Sequence, residues 1–110
     1  MNEQFNEIFV KLLSGEVDDP NLLSKYIIQL SANLFNLDRN RKEKEILYSK
    51  LFNEKRGEYK SDRSCENSLK VTKEWSELED AKNTYKMSKE LIIAARKRLN
   101  VLSDMARNNF

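Results

Sequence analysis

Near the C-terminus, Leu78, Ala81, Tyr85, Ser88, Ile92, Ala95, Leu99, Leu102 and Ala106 recur at alternating steps of three and four residues. Apolar or small residues at that spacing form the seam of a long α-helix whose partner is another helix. The stripe is narrow and its flanks are charged, so such a helix is not stable alone in water. Ala81, Ser88, Ala95 and Ala106 are small enough to let a partner helix approach closely. Leu23, Ile27, Leu30, Leu34 and Leu37 repeat the pattern earlier in the chain.

Two Gly and one Pro in 110 residues leave little material for turns. A multi-strand domain needs such punctuation roughly every ten residues, so the expected fold class is all-α. The expected layout is a short amphipathic helix in residues 1–16 and a long antiparallel helical hairpin in residues 19–110, turning near residues 61–68. Small extended chains bury little surface, so oligomerisation is expected to supply stability, with Leu78, Tyr85, Ile92, Ala95, Leu99 and Leu102 as its contacts.

The first helix carries Phe5, Ile8, Phe9, Leu12 and Leu13 at helical spacing, with Asn2 placed to cap it and Gly15 to end it. Its polar face is acidic, which argues for packing on protein rather than on anionic lipid. Asp19 is placed to cap the next helix, and Pro20 fits its first position, where a missing N–H costs nothing. Between Asp38 and Glu45 every residue is charged or Asn. In register, Arg41 and Lys44 fall on the seam, followed by Tyr48, Leu51 and Lys55. There the packing loosens or the polar seam faces something other than a hydrophobic partner, which marks a place for a pore, a cleft or a bound polyanion. Gly57 and the stretch Ser61 to Ser68 read as a non-periodic polar reversal, and Ser68 or Thr72 can cap the returning helix.

Residues 1–19 hold one Lys against five acids, whereas residues 86–107 hold six Lys or Arg against Glu90 and Asp104. The chain thus has an acidic head and a basic tail. Its single cysteine, Cys65, has no intrachain partner and sits among polar residues, where it could be exposed, and with no histidine in the chain it reads as incidental rather than catalytic. No run of about eighteen apolar residues and no secretory h-region are present. The chain reads as cytoplasmic, in the host cell if viral, and without membrane contact.

Histidine is absent. That removes histidine general bases, Ser-His or Cys-His nucleophiles and histidine metal sites. The two glycines are too far apart for a phosphate-binding loop. The chain is read as a non-enzyme, with no cofactor and no metal.

Basic residues cluster in three places: Arg39 to Lys44, Lys50 to Arg63, and Lys86 to Arg98. In the second cluster, Lys50, Lys55, Arg56, Lys60 and Arg63 surround Phe52 and Tyr59. Cations that track a phosphate backbone, combined with rings that stack on bases, are the elements of a single-stranded nucleic-acid site. A repeating assembly would multiply a weak contact of this kind through avidity.

The order of these features resembles the UvsY-like recombination mediators of T4-like phages and related small helical-hairpin recombination proteins. The resemblance spans residues 20 to 107. It rests on the seam, the Leu34-Phe35-Asn36 triplet before a charged stretch, the helix end with Lys55, Arg56 and Tyr59, the Ser61-Asp62-Arg63 turn and the returning helix with Trp75. It implies a homo-oligomer that binds single-stranded DNA and contacts a recombinase and a single-strand-binding protein, helping the first to displace the second. The alternative expectation is a small coiled-coil phage protein that binds and inhibits a host or defence protein, docking through Phe5 and Phe9 without nucleic acid.

Overall fold

In a computed structural model, residues 3–15 and 17–108 are described, and among them the protein is all-helical. The elements are α1 (Glu3–Ser14), α2 (Pro20–Lys55), a 3₁₀ turn (Arg56–Glu58), α3 (Asp62–Leu69) and α4 (Lys73–Asn108). The expected short helix and long helical hairpin are both present. Asn2 and the side chain of Phe5 lie outside the described residues.

Helix ends form where the sequence supplies caps. Gly15 adopts φ +70°, and its N–H donates to the Leu12 carbonyl at 3.3 Å. This left-handed position stops α1 and suits a residue without Cβ. Asp19 Oδ1 accepts from the Asn21 N–H at 3.0 Å, opening α2 with Pro20 at its first position. Thr72 caps α4: its hydroxyl accepts from the Trp75 N–H at 3.3 Å while donating to the Leu69 carbonyl at 2.6 Å. The charged stretch from Asp38 to Glu45 stays helical because none of its residues breaks a helix.

The chain forms two compact units, and both long helices contribute to each. Unit 1 comprises Met1–Phe35 and Met87–Phe110. Its core joins Ile8 and Phe9 of α1, Leu23, Tyr26, Ile27 and Leu30 of α2, and Leu91, Ile92 and Ala95 of α4. Burying each large aliphatic side chain here contributes about 1.5–3 kcal/mol. Lys11 Nζ donates to the Tyr26 hydroxyl at 3.3 Å, and Arg98 pairs with Asp18.

Unit 2 comprises Asn36–Lys86. Its buried residues are Cys65, Leu69, Leu78 and Ala81. The reversal differs from the expected non-periodic loop: residues 62–69 form a helix capped by Ser61, whose hydroxyl accepts from the Ser64 N–H at 3.1 Å. Cys65 and Leu69 lie one helical turn apart and point to the same side, so two apolar residues suffice to dock α3. Cys65 is accordingly fully buried, although its polar neighbours in the sequence left exposure open.

Candidate nucleic-acid interface

The seam of α2 continues through unit 2 as Leu37, Arg41, Lys44, Tyr48 and Leu51, all half-buried. At Arg41 and Lys44 the polar seam meets polar and aromatic partners within the chain, as one of the two expected branches has it, rather than lining an open cleft. Arg41 lies 5.4 Å above the Tyr85 ring and bonds Asp38 at 2.7 Å and Glu45 at 3.3 Å. Lys44 reaches across to Glu77 on α4 at 3.0 Å. Lys44 opposite Glu77 and Arg41 opposite Tyr85 also fix the antiparallel sense of the two helices. The Asp38 carboxyl is held below its ordinary pKa by hydrogen bonds from Arg41 and then Lys42. Glu77 is lowered foremost by its bond from Lys44.

Seven residues were expected to contact nucleic acid, and all belong to unit 2. Lys50 stands exposed on α2, beside a shallow groove of about 490 Å³ lined by Lys42, Glu45, Ile46, Ser49, Lys50 and Asn53. Phe52 is half-buried against Tyr48, ring centroids 6.5 Å apart and tilted by 39°. Burial raises the Tyr48 phenol pKa, with Glu66, Cys65 and Glu79 adding to the shift. Lys55 is exposed, 4.0 Å from Glu58.

Arg56 is used differently from the expectation. Its Nε donates to Asp62 at 2.5 Å and its Nη1 to the Tyr59 carbonyl at 2.7 Å, tying the 3₁₀ turn to the start of α3. A guanidinium with two donors committed to the reversal acts first as a turn brace. Tyr59 is half-buried in an extended backbone segment with φ −125° and ψ 154°. Lys60 and Arg63 are exposed, and among the described residues neither they nor Lys50 has an ion-pair partner. Lys55, Lys60 and Arg63 at the reversal and Lys50 on α2 are exposed, and Phe52 and Tyr59 are half-buried; two positions apart on α2, Lys50 and Phe52 face different sides of the helix.

The residues expected at the oligomer contact are placed within the chain. Leu78, Ile92 and Ala95 are buried, while Tyr85, Leu99 and Leu102 are half-buried. Leu78 and Tyr85 belong to unit 2; the other four belong to unit 1, where Ile92 and Ala95 join the core and Leu99 and Leu102 pack against it. Packing inside one chain accounts for this seam. Phe9, expected at a docking surface, is likewise in the unit 1 core.

Sequence reasoning did not single out the exposed Val10, Ile28 and Ile93 of unit 1, and Leu13 and Phe35, which it did name, are exposed as well. The available signal was their offset: Ile28, Phe35 and Ile93 each follow a seam residue by one position. Among the described residues no cluster of potential metal ligands occurs, and no helix is long and apolar enough to cross a membrane. No protein-family model, curated protein or solved structure matches the chain.

Proposed function

We propose that this protein is a non-enzymatic accessory factor of phage DNA recombination or replication. It homo-oligomerises, binds single-stranded DNA at the reversal of unit 2, and helps a recombinase load onto DNA covered by single-strand-binding protein. The observation that supports the DNA contact is the exposure of Lys50, Lys55, Lys60 and Arg63, with Phe52 and Tyr59 only half-buried. The cations neutralise phosphates, and a base stacked on one of the rings contributes about 1–3 kcal/mol. Arg56 supports the site by holding the turn. The resemblance to UvsY-like mediators supplies the recombination context and the two protein partners.

Fluorescence anisotropy of a labelled oligonucleotide across a salt series tests this reading. Log K is expected to fall with log salt at a slope of about −0.7 per phosphate neutralised. Replacing Lys55, Lys60 and Arg63 by Ala is expected to flatten the slope, whereas Tyr59→Ala weakens binding at every salt concentration without changing it. No binding at low salt overturns the DNA reading.

The exposed Val10 and Leu13 of α1 favour a second reading, in which an acidic apolar helix captures and inhibits a host or defence protein without DNA. That reading expects no anisotropy change at any salt concentration.

A further inference from the structure

Unit 1 holds a cavity of about 140 Å³ where α1, the segment that follows it, α2 and α4 meet. Its floor is made by Leu23, Leu91 and Ala95, all buried, and its walls by the half-buried Leu12 and Val17. Gly15, Ala94 and Arg98 are exposed and rim the mouth. The space arises because α4 sets two consecutive alanines, Ala94 and Ala95, at the level where α2 contributes Leu23. A larger aliphatic side chain at either alanine would fill much of it.

Volume and lining together define what such a cavity accepts. An apolar cavity of about 150 Å³ takes a ring the size of benzene. Arg98 is, among the described residues, the one charged group on the lining. Its Nη2 is paired with Asp18, which is not part of the lining, while Nε and Nη1 carry further N–H donors. Asp18 also cancels the charge of the guanidinium. A neutral ligand with an acceptor oxygen therefore suits the mouth better than an anion, which has to displace Asp18 before it gains from Arg98.

We propose that this cavity is a binding site for a small uncharged cyclic molecule, about the size of phenol, whose single oxygen accepts a hydrogen bond from Arg98. The site is separate from the DNA contact in unit 2 and from assembly. A ligand seated there touches α1 through Leu12, α2 through Leu23 and α4 through Leu91, so it ties the short helix onto the long pair. Because it binds only the folded chain, it raises the unfolding midpoint as its concentration passes its dissociation constant.

Phenol is the probe, with benzene as the analogue without an acceptor and benzoate as the analogue with a charge. Each is titrated into the full chain and followed by methyl NMR signals and by thermal unfolding. Phenol and benzene are both expected to shift the Leu23, Leu91 and Ala95 methyls and to raise the midpoint, and benzoate is expected to bind more weakly than phenol. Arg98→Met keeps an apolar stem and removes the donors, and the exposed pair with Asp18, 48% and 68% accessible, contributes little to stability. This variant is expected to lose phenol affinity by about tenfold and to keep its benzene affinity. Ala94→Leu, at the exposed rim, is expected to abolish both while leaving the circular dichroism spectrum unchanged. Shifts confined to other methyls, or no shift at saturating phenol, overturn the proposal. So do benzoate binding tighter than phenol, an Arg98→Met chain that keeps its phenol affinity, and binding that survives Ala94→Leu. The oligonucleotide anisotropy result, positive or negative, does not bear on any of these readings.

Discussion

The same heptad seam runs along α2 in both units, but its filling differs. In unit 1 it carries Leu23, Ile27, Leu30 and Leu34 against Leu91, Ile92 and Ala95, with the short α1 closing one side. In unit 2 it carries Arg41 and Lys44 against Tyr85 and Glu77. Apolar seams are strong but permissive, since a slip of one heptad still sets one aliphatic residue against another. A polar layer is weaker and selective, because the same slip takes Arg41 off Tyr85 and Lys44 off Glu77. Unit 1 therefore supplies most of the stability, and unit 2 fixes the register in which the hairpin closes.

The largest expected effect tests the stability side of that contrast. Leu30→Ala empties a nearly fully buried site in unit 1, and chemical denaturation is expected to show a loss of about 2–5 kcal/mol. A loss well under 1 kcal/mol would place the stable core elsewhere. Next in size is the cap that lets α4 begin in unit 2. Thr72→Ala removes the acceptor for the Trp75 N–H and is expected to cost about 1 kcal/mol, measured by the shift of the denaturation midpoint.

The smallest effect sharpens the role of the polar layer. Asp38 and Glu77 have folded pKa values below their ordinary ones, so their contribution to stability is fully present above the ordinary carboxylate range near pH ~4. It is lost as pH falls through the lowered folded values. Denaturation of the wild type and Glu77→Gln, compared from pH 7 downward, is expected to show a gap that closes in acid. A gap that stays constant or widens in acid would remove the Lys44–Glu77 pair from the account.

Much of the fold was legible because helices write their packing as a period. The α4 seam, the Asp19-Pro20 start, the Gly15 stop and the Thr72 cap depend on neighbours within one turn, and all could be located in the sequence. α3 was not legible: only Cys65 and Leu69 carry its apolar face, and two residues do not establish a period. The candidate site was legible in part. The cations around the reversal were visible as residue types, but Arg56 looked like Lys55 until the fold set it against Asp62 and the Tyr59 carbonyl.

By itself the sequence determined that this protein is helical and that its long helices need partners, and it located the Gly15 stop and the Asp19-Pro20 start. Those properties follow from local propensity, capping and the spacing of side chains along one helix. Only the tertiary structure decided that the seam closes within one chain and that Arg41 and Lys44 find partners there. It also decided that one side of unit 1 keeps Ile28, Phe35 and Ile93 uncovered. Such outcomes depend on which side of an antiparallel pair the short first helix occupies, and the period of a single helix carries no information about that choice.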